Sequence, residues 1–303
     1  MVFSSLTFLF LFLPLNLLVY FFAKDIKAKN TVMLVFSLIF YAWGEPVYIL
    51  LLVGMTLADW YLTLKIAVNK RRPKKARLLL ASVIGLDLLL LGIFKYGTFT
   101  LANLNHLFGF PKTVPSIALP IGISFYTFQL MTYCIDVYRG EVKAQRSFKM
   151  LLLYVSMFHQ CIAGPIVRYK DVNRELENRR VTYTDIADGI NRFVTGLAKK
   201  AILANTCAAI TDKLLIADGG DFSALSTKSA LSLWVGVIAF TLQIYLDFSA
   251  YSDMAIGMGR MIGIHYLENF DYPYMSASVT EFWRRWHISL GSFFRDYLYI
   301  PLG

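Results

Sequence analysis

Seven long apolar runs, separated by short polar links, set the strongest constraint on how this chain folds. A helix needs about 20 mostly apolar residues to cross the hydrocarbon core of a bilayer. The composition agrees with an integral membrane protein, because 57% of the residues are hydrophobic and only 17% are charged. We therefore predict an all-α, polytopic membrane protein with one continuous domain over residues 1–303. The predicted spans are Leu6–Ala23, Thr31–Trp43, Val47–Val68, Leu78–Tyr96, Ser116–Val137, Ala201–Ala217 and Leu231–Ala250.

The basic residues predict the side of the membrane on which each link lies. With an extracytoplasmic N-terminus, three basic clusters fall in the cytoplasm, as the positive-inside rule requires: Lys24–Lys29, Lys70–Arg77 and Arg139–Lys149. The links that then fall outside are nearly free of bases: Gly44–Pro46, Gly97–Pro115 and Asp218–Lys228. A net charge of +10 in a soluble chain would suggest nucleic-acid binding. Here the bases flank apolar runs, so we expect a lipid bilayer and no nucleic acid as partner.

The segment Lys149–Val167 does not fit a simple span. It is apolar, but it contains His159, Gly164 and Pro165, and a second basic stretch, Arg168–Arg180, follows it. A full crossing would put that basic stretch outside the cell. We predict a re-entrant segment that returns to the cytoplasmic side and lines an interior cavity, since irregular backbone at membrane depth must be covered by protein or water. His159 is a candidate functional residue in it.

A cluster of polar residues lies at the end of the last predicted span. The run QIYLDFSAYSDMAIGMG, residues 243–259, carries several polar side chains in an apolar setting. Ionisable groups at membrane depth are costly and mark functional sites or helix–helix hydrogen bonds. Both interpretations stay open from the sequence. The candidate ligand-binding residues in this run are Gln243, Asp247, Tyr251 and Asp253.

The last forty residues predict an amphipathic helix. Ser278 and Glu281 fit a capping box, and the helix TEFWRRWHISLGSFF, residues 280–294, should follow. It is too short and too charged to span, so it should lie at the cytoplasmic interface or dip inward. Trp283 and His287 are four residues apart and should share a face. His287 is the best-placed general acid or base, with a structural interfacial histidine as the alternative.

Three charged residues beside His287 complete the candidate site. Arg284 and Arg285 are suited to stabilise an anionic donor or an oxyanion, although anchoring at the interface is an equal alternative. Asp296, next to Arg295, is a further candidate. The three cysteines are widely spaced, and we expect no metal site and no bound cofactor.

The stretch EFWRRWHISLGSFFRDYLYIPLG, residues 281–303, resembles the signature of the membrane-bound O-acyltransferase (MBOAT) family, in particular its alginate O-acetylation branch. The segments MVFSSLTFLFLFLPL, WGEP, QIYLDFSAYSDMAIGMGR and ENFDYPY also look like that branch. The resemblance implies a funnel through a thin membrane region and O-acetylation of an alginate-like polysaccharide at a bacterial inner membrane. It also implies an acyl thioester donor, either acetyl-CoA or an acyl carrier, and a periplasmic acetyltransferase partner.

The sequence departs from the family pattern at one point. The family's principal catalytic histidine lies in a downstream Trp-His-Gly motif, which these 303 residues do not contain, and His287 matches the family's first histidine position. We expect the sequence to be the N-terminal part of the fold and to be inactive alone. A transporter or flippase, and a non-catalytic partner subunit of an envelope polymer modification complex, are the alternatives.

Overall fold

A computed structural model describes residues 2–109, 117–161, 164–215 and 222–303 of the chain. Within these ranges the regular structure is helical and contains no strand, which confirms the all-α prediction. The helices are α1 (Phe8–Phe22), α2 (Ile26–Gly44), α3 (Ile49–Val68), α4 (Pro73–Phe108), α5 (Ile123–Arg139), α6 (Phe148–Ser156), α7 (Phe158–Cys161), α8 (Tyr169–Glu177), α9 (Tyr183–Leu215), α10 (Ala230–Met261), α11 (Val279–Arg285) and α12 (Ile288–Phe293).

Four of these helices, α3, α4, α9 and α10, are long and apolar enough to cross a membrane. Short 3-10 turns occupy Phe222–Thr227 and Pro273–Met275, and α12 continues into a π-helical turn, Phe294–Tyr299, and a last turn, Ile300–Leu302. The sequence and these helices together define a polytopic membrane protein.

The end of α4 and the start of α5 differ from the predicted ones. The link predicted to begin at Gly97 is helical as far as Phe108, because α4 runs for 36 residues. Helix α5 begins only at Ile123, after Gly122 adopts a left-handed φ of 75°. The predicted span ends Ser116 and Ala217, and the parts of two links in 110–116 and 216–221, lie outside the described residues.

The helices that contain the last two predicted spans also extend beyond them. Helix α9 begins at Tyr183 and not at Ala201, because Thr182 caps it through a capping box with Asp185. Helix α10 continues past Ala250 to Met261. Charged and polar side chains interrupt the apolar runs at both places. Each helix continues through them because side chains of the neighbouring helix pair with them.

The chain on both sides of the segment predicted to be re-entrant contacts the same end of α2. On entry, Lys149 Nζ donates to Thr31 Oγ1 at 2.5 Å. After the segment, the side-chain amide of Asn30 donates to the carbonyl oxygen of Leu176 at 2.8 Å. Both contacts lie in the first two turns of α2, so the chain returns to the level at which it entered.

The middle of the same segment lies deeper in the bundle. The Phe158 amide donates to Ser37 Oγ at 3.2 Å, and Ser37 is about 9 Å along α2 from Thr31 at 1.5 Å per residue. The Phe158 ring packs against Phe12 and Phe40, with ring centroids 5.3 and 5.5 Å away. This geometry is that of a re-entrant hairpin.

Helices α9 and α10 pack antiparallel at close range, and glycines make the contact possible. A Cβ on Gly257 would lie 2.6 Å from the carbonyl oxygen of Gly189, and one on Gly196 would lie 2.8 Å from that of Ala250. Small residues of this kind let helix backbones approach each other in membranes. The approach brings the side chains between these contacts within ion-pairing distance.

We predict that Gly257→Ala lowers the thermal stability of the protein in detergent. The added Cβ meets backbone atoms of Gly189 and Phe193 at 2.6 and 2.7 Å, which cannot move aside without separating the helices. The expected cost is about 1–3 kcal/mol. The matched control is Gly54→Ala, because a Cβ there meets nothing within 4 Å. Equal melting temperatures for both variants would contradict the close packing.

We predict that a reporter fused after Arg180 is cytoplasmic. The chain after Lys149–Val167 contacts, at Leu176, the end of α2 that carries the basic residues Lys24–Lys29, so we expect Arg180 on their side of the membrane. A green fluorescent protein fusion should fluoresce and an alkaline phosphatase fusion should be inactive. Fusions after Gly44 should give the reverse pattern. Active phosphatase after Arg180 would show a full crossing.

Candidate functional site

The centre of the α9–α10 contact is a set of ion pairs. Asp253 of α10 accepts from Arg192 Nε at 2.7 Å and from Lys199 Nζ, and its side chain is only 8% exposed. Lys200 donates to Asp247 at 2.8 Å. Lys199 and Lys200 open a π-helical stretch of α9, a distortion common at functional sites. It lets two consecutive lysines reach the same neighbouring helix.

Asp253 and its two cations form one wall of a cavity of about 780 Å³, whereas the predicted residue Asp247 and its partner Lys200 do not line it. The cavity is large enough for a small-molecule substrate. Its walls combine charged groups with aromatic rings. The lining residues are Arg192, Thr195, Lys199, Tyr245, Ser249, Ser252, Asp253, Glu268, Asn269, Phe270, Asp271, Tyr272 and Ile288. Among the described residues, no group of three or more His, Cys, Asp or Glu side chains is placed to hold a metal ion.

The opposite wall of the cavity comes from the chain after α10. The prediction of one continuous helix over residues 280–294 is wrong. This stretch is broken into α11 and α12, with His287 between them at a left-handed φ of 45°. The Ile288 amide donates to the carbonyl oxygen of Asn269, and Phe270 and Trp286 form an isolated antiparallel bridge. Because of this break, Trp283 and His287 do not share a helical face.

The His287 ring is held by hydrogen bonds that define its tautomer. Its Nδ1 lies 3.1 Å from Asn269 Oδ1, which also accepts from the backbone N–H and the hydroxyl of Ser289. A backbone N–H only donates, so the Asn269 atom that faces it is the oxygen. His287 Nδ1 therefore carries the proton, and Nε2 keeps its lone pair.

His287 is half-buried, and its ring contacts α10 far from the end of that helix. Its ring packs edge-on against Phe248, with centroids 4.7 Å apart. Phe248 is 13 residues before the end of α10 at Met261, which is about 20 Å along the helix. Of the two predicted positions, this contact favours the inward one, which stays a prediction. Burial lowers the pKa of His287, which lies outside the spanning helices, to about 4, so the imidazole is neutral at physiological pH.

The first turn of α11 confirms half of the predicted capping box. Ser278 Oγ accepts from the Glu281 amide at 3.1 Å. The Glu281 carboxylate accepts from the Ala277 amide instead of Ser278, and this bond and Arg285 hold its pKa below the ordinary value. Arg285 also pairs with Asp271 at 3.5 Å, and Arg284 is exposed. Neither arginine lines the cavity.

Asp296 belongs to a different cluster. It pairs with Arg295 at 2.7 Å and with Arg168 at 2.8 Å, and Arg295 followed by Arg168 holds its pKa below the ordinary value. The neighbouring Tyr297 donates to Asp136 at 2.7 Å. These contacts attach the end of the described chain to α5 and to the segment before α8, outside the cavity.

Three other predicted residues also lie outside the cavity. Gln243 has a buried Oε1 with no hydrogen-bond partner within the part of the chain that the structure describes. Tyr251 packs against Phe3, with ring centroids 5.6 Å apart. His159 is buried with its Nδ1 3.4 Å from the Tyr266 hydroxyl. The polar run therefore lines the cavity through Asp253 and several unpredicted neighbours, such as Ser249.

Sequence reasoning missed the cations of α9 and the residue that holds His287. Arg192 and Lys199 are charged residues next to an apolar stretch, and that position could have marked them as candidates. The predicted span began after them, at Ala201. Asn269 lies in ENFDYPY, which was quoted only for its resemblance. No periodicity reveals that Asn269 contacts Ser289, because the contact spans twenty residues of irregular chain.

The fold and the site define a class of protein: a helical membrane bundle with a charged, open cavity and a half-buried histidine beside it. The sequence profile of the membrane-bound O-acyltransferase family matches residues 141–303, more than half of the chain. The chain therefore belongs to this family, as the resemblance implied. The matched region contains α9, α10 and every lining residue of the cavity.

Curated relatives agree with the family assignment. The probable alginate O-acetylase AlgI of Pseudomonas putida is 44% identical over 307 residues, which cover 100% of this chain and 61% of that protein. The peptidoglycan O-acetyltransferase of Helicobacter pylori is 34% identical, over 100% of this chain and 62% of that protein. The teichoic acid D-alanyltransferase of Bacillus subtilis is 28% identical, over 59% and 45%. The chain thus spans about three fifths of the length of the first two relatives.

We predict that Asp253→Asn destabilises the protein much more than Asp247→Asn. Asp253 is 8% exposed and pairs with two cations, whereas Asp247 is 35% exposed and pairs with one. Removing one partner of a buried ion pair lowers the free energy of unfolding by about 3–5 kcal/mol. Solvation of the part-exposed cations reduces this loss for Asp253. Removing one partner of a part-exposed pair costs about 1 kcal/mol or less. Thermal unfolding in detergent measures both. Equal losses would contradict the central place of Asp253.

Proposed function

We propose that this chain carries the acyl-transfer site of a membrane O-acyltransferase. The observation that supports it most is the neutral His287 ring, held by Asn269 beside a charged cavity at membrane depth. The proposed reaction moves an acetyl group from a cytoplasmic thioester, acetyl-CoA or an acyl carrier, to a hydroxyl of an extracytoplasmic polysaccharide. The names of the relatives support this, since one is a probable alginate O-acetylase and another is a peptidoglycan O-acetyltransferase.

The residues around the cavity have different roles in the proposed reaction. A hydroxyl oxygen of the acceptor attacks the thioester carbonyl, the C–S bond breaks, and the sulfur leaves as a thiolate that takes up the proton. His287 Nε2 accepts the hydrogen bond, and in the transition state the proton, of the attacking hydroxyl. Arg192 and Lys199 lie in the cavity wall and stabilise negative charge on the donor or on the carbonyl oxygen. Asn269 positions His287 through its carbonyl oxygen.

The proposed location is a bacterial inner membrane with the N-terminus outside the cytoplasm. The basic clusters support this orientation. It puts the entry to α9 and the end of α10 on the cytoplasmic side, where a thioester donor is available. A periplasmic acetyltransferase and the polysaccharide, alginate-like by the relatives' names, are the proposed partners on the other side.

We predict that His287→Asn in the full-length protein lowers polymer O-acetylation by about 10²–10⁴-fold, the usual loss on removing a general base. Asparagine suits the test because it tolerates the left-handed φ at position 287. Acetyl groups on the polymer are measured at matched membrane abundance.

The matched control for this substitution is His106→Asn, an exposed histidine at the end of α4, which should leave acetylation unchanged. Near-normal acetylation in His287→Asn would show that the histidine is structural. Loss of acetylation with complete loss of protein from the membrane would assign His287 to folding.

A further inference from the structure

A second large cleft lies away from the proposed acyl-transfer site, where α3 ends and the α5–α6 link begins. Its volume is about 1170 Å³. We call it the basic cleft. The residues that line it are Leu64, Ala67, Val68, Lys70, Glu141, Val142, Lys143, Ala144, Gln145, Arg146, Tyr169, Asn173 and Glu177. It shares no lining residue with the cavity beside His287.

The charges in the basic cleft favour an anion. Lys70, Lys143 and Arg146 are all exposed and line it. Glu141 is already paired, since it accepts from Lys170 at 2.7 Å and lies 3.8 Å from Arg139. Glu177 is the other carboxylate in the lining, so three cations face one carboxylate that is not engaged by a cation of the described chain.

The link that carries two of these cations is held firmly. The Gln145 amide donates to the Tyr133 hydroxyl at 2.8 Å, and Trp60 Nε1 donates to the Gln145 carbonyl oxygen at 2.9 Å. The Gln145 side chain donates to Tyr169 and accepts from the Ser147 amide. Lys143 and Arg146, on either side of Gln145, are therefore presented from a preorganised backbone, which lowers the entropy cost of binding.

One wall of the basic cleft is apolar and lies at the end of a helix that is long and apolar enough to span a membrane. It consists of Leu64, Ala67 and Val68 at the end of the spanning helix α3, and Val68 is 84% exposed. An apolar wall adds no favourable contact to a small soluble anion. A phospholipid does gain such a contact, because its phosphate binds to the cations while its acyl chain runs along the apolar strip. Basic pockets beside helix ends bind anionic headgroups in this way.

We propose that the basic cleft binds the headgroup of an anionic phospholipid of the cytoplasmic leaflet. Lys143, Arg146 and Lys70 bind the phosphate, and Leu64 and Val68 contact the first carbons of one acyl chain. Because Trp60 and Tyr133 connect the link to α3 and α5, the bound lipid braces these helices against each other. The proposal does not depend on acyl transfer.

The test measures lipid binding to the purified full-length protein in detergent by native mass spectrometry. The probes are phosphatidylglycerol and phosphatidylcholine with identical acyl chains. The wild type should prefer phosphatidylglycerol, and the double variant Lys143→Gln, Arg146→Gln should bind it about 10- to 30-fold more weakly. The matched control is Lys74→Gln, Lys75→Gln, which removes the same charge from exposed positions outside the cleft and should bind as the wild type does.

A variant that should bind the lipid more tightly distinguishes a loss of binding from misfolding. Glu177→Gln removes the unengaged carboxylate and should bind phosphatidylglycerol about fivefold more tightly, by the same charge argument. Unchanged affinity in the cleft variant, or an equal loss in the Lys74, Lys75 control, would overturn the proposal. Displacement of the lipid by millimolar inorganic phosphate would also overturn it, since it would mark a site for soluble anions.

Discussion

The close contact between α9 and α10 is the interaction on which the rest of this structure depends. Charged side chains at membrane depth are tolerated when they are paired. Gly189 and Gly257 bring the two backbones close enough for Asp253 to accept from both Arg192 and Lys199. Without that approach the cations of α9 would face hydrocarbon. With it, they form the charged wall of the cavity beside His287.

The opposite wall depends on one side chain, Asn269. Its carbonyl oxygen accepts from Ser289 and faces the ring of His287, and its amide donates to Ser252 of α10. Asn269 thus connects the irregular chain, the break between α11 and α12, and the spanning helix. The strained backbone at His287 persists because these contacts fix it, which is typical of functional positions.

Hydropathy and charge predicted the helical class and a segment that folds back between α5 and α8, because these follow from the length of apolar runs and the position of bases. The boundaries of α9 and α10 were missed, since a charged residue inside a membrane helix looks like a helix end until its partner is known. The predicted helix through His287 failed for another reason: Asn269, distant in sequence, holds a break that local propensity does not show.

The accessibility of position 195 tests the account most directly. Thr195 lines the cavity, whereas Val194, one residue earlier on α9, is 53% exposed on the surface of the bundle. In a background with Cys207→Ala, a cysteine at 195 should react quickly with a charged methanethiosulfonate reagent and the reaction should stop acyl transfer. A cysteine at 194 should stay unreacted, because it faces lipid. Equal reaction at both positions, or modification at 195 without loss of transfer, would contradict a functional cavity between α9 and α10.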